Sequence, residues 1–402
     1  MDEQATVPEK RRFRLTKFRV FLLLFCAFWL IIYLLSYSQR VCDFMLDHVQ
    51  PYAAAVISKV TYLIPVPLFE LAIIAAVLFG AVLLVMLILL IFLRKKPKYR
   101  RAALYAVRTA VVIVITVVGM LQPFENSLQH SSVLGHSDYE AGLHSQEDVK
   151  KLWNWFVTNV NQLAGEVRRD ENYHFIRPTA EEIRADLAVT RQRVSERYQR
   201  FQVDAPDEKT SLFSGWLGSY GIAAYTVTPT MEIVFRDRTE DRNYFASVYA
   251  HEFSHFVGYW REDEANFLGF LLCDVSDNPN IRYAGYMDIL NYVSSAFNTS
   301  YFGTSDEEQW VYDDAYDEYC KDLVDFDNYI LFICDRAGNY KPYHKQQGEE
   351  NVVDEQREYA QVPDAVAQIA SDLGEQHFAN LKEQLGPHYY DGVAQLIMDE
   401  LL

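Results

Sequence analysis

In the stretch VYAHEFSHFVGYWREDEANF (Val248–Phe267), His251 and His255 stand four residues apart, with Glu252 directly after the first. On a helix, residues four apart lie one turn above each other, so both imidazoles can aim at one ion. Glu252 lies about 100° round the helix from His251, near such an ion but badly placed to ligate it. A carboxylate there suits a general base that holds and deprotonates a water activated by Zn2+. A catalytic zinc takes three protein ligands and keeps another position open. Glu262 is the leading candidate for the third ligand. On one continuous helix it would lie about 16 Å along the axis from His251. Metal–ligand bonds are only about 2 Å, so the chain must turn back between them. Gly258 stands in that gap and is the residue type that readily takes the left-handed conformation ending a helix. The spacing thus predicts a helix, a turn at Gly258, and a second helix that starts near Arg261 and presents Glu262. Glu264 is the alternative ligand. It points about 200° away from Glu262, towards a side where solvent or Arg261 would satisfy it.

The elements around this block can be read from periodicity. Before it, GIAAYTV and TMEIVF are short β-like runs joined at Thr228-Pro229-Thr230, and Met231, Ile233 and Phe235 alternate with Glu232 and Val234 as in a half-buried strand. Upstream, Val149, Trp153, Phe156, Val160 and Leu163 form one helical stripe, and Thr179 opens a second helix with a capping box in TAEE. Downstream, EANFLGFLLCDV, IRYAGYMDILNYVSSAF, VAQIASDLGEQHFANLKEQL and YYDGVAQLIMDELL read as helices. The expected fold class is α+β, predominantly helical, with a small β-sheet.

Three apolar runs precede this domain. Val20–Tyr37 and Leu71–Leu93 carry no charge, and Ala102–Leu121 carries only Arg108, near enough to its start to snorkel. A bilayer core takes roughly 20 apolar residues of helix, so residues 1–121 are expected to form a membrane domain with spans at about 20–37, 71–93 and 102–121. Residues 122–146 are expected to be a polar linker with solvated His130, His136 and His144, followed by an extracytoplasmic domain over 147–402. The basic segments EKRRFRLTKFR and RKKPKYRR flank the first and third spans, whereas residues 38–70 hold only Arg40 and Lys59. Positive charge stays inside, so the N-terminus is expected in the cytoplasm and the large domain outside a multi-pass cell-membrane protein. The membrane part holds 15 Lys/Arg against 6 Asp/Glu, about +9, and the remainder holds 22 against 49, or −27. That acidic remainder excludes nucleic acid as a partner, because binding it needs basic surface. Five cysteines without CxxC spacing make no disulfide scaffold.

HExxH followed by Glu262-Asp263-Glu264-Ala265-Asn266 resembles the gluzincin zinc metallopeptidases. The whole layout is similar to an uncharacterised bacterial family of three-pass, membrane-anchored zinc peptidases. The resemblance implies a gluzincin-like metallopeptidase domain that hydrolyses peptide bonds in a peptide or protein substrate. It implies His251, His255 and Glu262 as zinc ligands and Glu252 as general base, with Asn266 orienting a histidine. It also implies that TMEIVF, with Glu232 and Ile233, supplies an edge strand to which an extended substrate adds. His344, His388, Tyr389 and Tyr390 are candidates by residue type alone for stabilising the developing oxyanion. A second reading is a membrane-tethered sensor or scaffold with a structural or inactive zinc site.

Overall fold

The computed structural model describes residues 17–93, 97–237, 239–302, 326–338, 340 and 392–402. The chain divides into two compact units, residues 1–42 with 77–131 and residues 43–76 with 132–402, and the division falls within two helices.

Residues 17–93 and 97–130 are mainly helical, with three apolar helices. α1 (Lys17–Leu35) is followed by α2 (Gln39–His48) and α3 (Gln50–Thr61), then by α4 (Leu68–Leu93) and α5 (Pro97–His130). α1, α4 and α5 are each long and apolar enough to cross a membrane, over Lys17–Leu35, Leu68–Leu89 and Pro97–Met120. α1 buries no residue, and a helix apolar all round and left uncovered by protein suits hydrocarbon. α1 and α5 run parallel: the Arg108 guanidinium lies 4.9 Å from the Phe18 ring centre, Gly119 meets Trp29, and Asn126 donates to Ser36 Oγ at 2.9 Å. A Cβ at position 119 would collide with the Trp29 ring, so glycine is what lets these helices close up.

In the second unit, α6 (Gln146–Glu166) and α7 (Ala180–Ser195) precede β1 (Glu208–Thr210), α8 (Ser214–Ser219), β2 (Ala224–Val227) and β3 (Glu232–Phe235). α9 (Phe245–Val257), α10 (Glu262–Asp274), α11 (Pro279–Phe302), α12 (Phe326–Ala337) and α13 (Gly392–Leu401) complete it. The Val149–Leu163 stripe of α6 is buried throughout, and Phe156 packs on Tyr286 of α11 and Phe332 of α12. The Thr179–Glu182 capping box forms as the sequence predicts. The segments 341–391 and 303–325, with the expected helix at VAQIASDLGEQHFANLKEQL, lie outside the described residues.

Two expectations about connecting segments change. Residues 38–70 hold two helices, α2 and α3, and residues 43–76 pack in the same unit as 132–402. The polar stretch 122–146 opens as the last turns of α5, and its histidines are not solvated. His136 is half-buried against the Tyr198 ring at 5.9 Å, and His144 Nε2 lies 2.6 Å from Asp399 Oδ1. His130 Nδ1 pairs with the Asn126 carbonyl at 2.8 Å.

The sheet corrects the edge-strand expectation. Its order is β1-β3-β2, with β1 parallel to β3 and β2 antiparallel to it, so β3 is the central strand and is buried throughout. Ile233 is fully buried. Glu232 is fully buried and turned to internal partners: it pairs with Lys209 Nζ at 2.5 Å and accepts from the backbone amides of Leu68 and Phe69 at 2.9 and 3.2 Å. Burial pushes its carboxyl up, but the Lys209 ammonium and these donors outweigh that and hold it below the usual range. The carboxylate therefore caps the N-terminus of α4, where orphan amides and the helix dipole favour negative charge.

Candidate metal centre

Gly258 ends α9 in the left-handed conformation, with φ at 110°. Its amide donates to the His255 carbonyl and that of Tyr259 donates to Ser254, the paired bonds of a Schellman turn. The buried Arg200 holds this turn, donating to the Gly258 carbonyl at 2.9 Å and lying 4.5 Å from the Tyr259 ring centre. The chain then reverses, and α10 starts at Glu262, as the spacing predicts. α9 and α10 cross closely at Gly269, where an added Cβ would stand 2.9 Å from the His251 backbone nitrogen. Glycine there sets how near Glu262 can come to the histidines.

One ligand atom each from His251, His255 and Glu262 lie within 4.8 Å of one another. His251 Nε2 is 3.4 Å from Glu262 Oε2, and His255 Nε2 is 3.6 Å from Glu262 Oε1. The imidazole centres are 4.6 Å apart and their planes nearly perpendicular, at 85°. His255 Nδ1 sits 2.8 Å from the Tyr259 carbonyl, which can only accept, so Nδ1 carries a proton and Nε2 is the nitrogen that faces the cluster. Trp260 stacks on the same ring at 5.7 Å and 12°. Glu262 keeps 35% of its side chain exposed, against 9% for His255, so the cluster opens to one side.

The histidines and acids of the cluster shift one another. Burial alone would lower the His251 pKa, but Glu262, then Glu252 and Asp288, push it up to about 9. Burial would raise Glu262, but the two histidines hold it well below the usual carboxylate range. The donor set, two imidazole nitrogens and a carboxylate converging from two helices, fits a divalent ion such as zinc.

Glu252 is 4% exposed. Its Oε2 lies 2.7 Å from Thr226 Oγ1 on β2, and burial raises its pKa while both histidines oppose the rise.

Glu264 does not reach solvent. It is buried and accepts from the Leu134 amide at 2.9 Å, while burial and neighbouring Asp263 push its pKa up to about 7. It lies outside the three-residue cluster. Asn266 donates to Tyr292 Oη at 2.9 Å, and among the described residues it bonds neither histidine. The Tyr259 carbonyl pairs with His255 instead, and Asp288 of α11, which accepts from Ser247 at 2.8 Å, is near enough for its charge to act on His251. Neither carried a sequence signal, because one is backbone and the other lies 37 residues beyond His251. His344, His388, Tyr389 and Tyr390 fall outside the described residues.

The fold and site define a mainly helical protein with three helices long and apolar enough to cross a membrane and a His-His-Glu cluster at a helix–turn–helix. The chain belongs to the family described as "Protein of unknown function (DUF3810)", whose profile matches residues 46–324. No curated protein and no solved structure matches it.

Proposed function

We propose that this chain is a membrane-anchored, zinc-dependent peptidase whose site lies outside the cytoplasm. The observation that carries the reading is the convergence of His251, His255 and Glu262 with a buried Glu252 alongside. The Lys/Arg-rich segments flanking the apolar helices support the orientation.

Bound by His251, His255 and Glu262, zinc would supply Lewis acidity towards a peptide carbonyl and an attacking water. Glu252 takes the proton of that water and passes it to the leaving amine. Burial raises its pKa and so makes the carboxylate a stronger proton acceptor than an exposed one. Thr226 fixes one carboxylate oxygen and leaves the other for the water. β2 is an edge strand. Its register with β3 pairs Tyr225 with Val234 and Val227 with Glu232, and Ala223 accepts from Arg236. The backbone groups of Ala224 and Thr226 therefore point away from β3, and an extended peptide adding there would lie beside Glu252. A sensor or scaffold with a structural zinc calls for a closed four-ligand shell. The cluster among the described residues has three members.

Zinc uptake is expected to depend on pH. Zinc needs neutral imidazole, and metal-free His251 holds its proton up to about pH 9. Apparent affinity should thus fall as pH drops below 9, by about tenfold per unit while His251 alone competes. Binding at pH 7 should release about one proton, measurable by calorimetry in two buffers of different ionisation heat.

A mass-spectrometric peptide-library digest with the full-length protein in sealed, right-side-out vesicles tests the function. Cleavage outside the vesicles should stop when EDTA, which does not cross the bilayer, is added, and return with zinc. Cleavage that begins only when detergent opens the vesicles would place the site inside. Cleavage indifferent to EDTA would remove the metal from the account.

A further inference from the structure

The segment joining the first two apolar helices is amphipathic in an inverted sense. On α3, the residues turned into the protein are small or weakly polar: Ala54, Ser58 and Thr61 are buried. Those turned outward are large and apolar: Tyr52, Val56 and Val60 are each more than half exposed, and Leu63 just beyond is 80% exposed. Phe44, Met45 and Val49 extend the exposed run backwards along the chain. A helix facing water places its apolar stripe against the core and its polar residues outside. Close packing of small residues with apolar bulk outside is how helices pack in lipid. Lys59, exposed beside Val60, has the reach to carry its ammonium to a headgroup.

What covers this face is indicated by where the chain goes next. α3 ends at Thr61 and the apolar α4 opens at Leu68. That short connection is clamped to the sheet: Lys209 Nζ donates to the carbonyls of Thr61 and Val66 at 2.9 and 3.2 Å, and Tyr62 Oη accepts from the Ile233 amide at 3.1 Å. One turn into α4, the buried Glu70 accepts from the Leu212 amide at 2.6 Å and Tyr225 Oη at 2.7 Å. Leu212 and Trp216, next to this clamp, are about half exposed. Tryptophan and tyrosine are enriched where protein meets the headgroup layer.

We infer that the outer face of α3, with Leu212 and Trp216 beside the start of α4, lies in the headgroup layer of the bilayer that α4 enters. The face is an interfacial anchor, held by apolar contact with lipid and by Lys59. It seats the sheet that carries Tyr225 and Thr226 at the membrane surface. This stands apart from the zinc reading, since no residue of the cluster enters it.

Spin labels on Val56→Cys and Val60→Cys test it, in full-length protein lacking Cys26 and Cys320 and reconstituted in phosphatidylcholine vesicles. Tyr52→Cys serves should either variant fail to fold. Collision with lipid-soluble oxygen should exceed collision with a water-soluble nickel chelate at these positions, and the ratio should invert at Glu171→Cys, an exposed turn of the same unit. Nickel in excess at 56 and 60 would show a face open to water. Weak collision with both reagents would show a face covered by protein, a second copy or another part of this chain. Either result overturns the inference.

Discussion

Glu252→Gln is expected to leave zinc uptake intact and to cut hydrolysis by about 10²–10⁴-fold, the contribution of a positioned general base. The amide keeps the carboxylate's shape, and an oxygen can still face Thr226, so the α9–β2 contact survives. What is lost is the ability to take a proton. Because Glu252 is not among the three converging ligands, zinc stoichiometry should not change. The measurement is paired: cleavage rate and bound zinc on the same preparation. Undiminished cleavage would remove Glu252 from the mechanism.

The second large effect separates two acids on one helix. Glu262→Ala removes a converging ligand and should weaken zinc binding by about tenfold or more, the scale on which even groups supporting a metal ligand act. It also leaves His251 without the partner that raises its pKa. Glu264→Ala should leave zinc affinity nearly unchanged and act on stability instead. It strands the Leu134 amide inside the protein, at a cost of about 1–3 kcal/mol. Zinc titration and thermal unfolding of both variants should give opposite patterns. Zinc loss in Glu264→Ala alone would place the third ligand there.

The features legible in the sequence were local ones. Six residues between His255 and Glu262, with a glycine among them, admit few paths for the chain, and Gly258 takes the expected one. The α6 stripe and the Thr179 cap likewise involve neighbours within a turn or two. What stayed hidden depends on partners far along the chain. β1 is three residues long, too short for a periodic signal, yet its pairing turns β3 from an edge into the centre of the sheet. Glu232 looked like a solvent-side strand residue because its partners, Lys209 and the first amides of α4, are up to 164 residues away. Gly269 carries no signal within its own helix, since its role exists only once α9 lies against α10. α3 lacks the usual amphipathic signal because its small residues face in and its apolar ones out. His144 passed for a solvated residue because Asp399 approaches from the other end of the domain.

The central claim is that His251, His255 and Glu262 hold one zinc beside Glu252. Zinc titration of the full-length protein in detergent at pH 7.5, against the double variant His251→Ala/His255→Ala, tests it most directly. The account predicts one zinc per wild-type chain and none at this site in the double variant, with both proteins folded by circular dichroism. A wild-type chain that takes up no zinc, or a double variant that binds it equally well, would contradict the account.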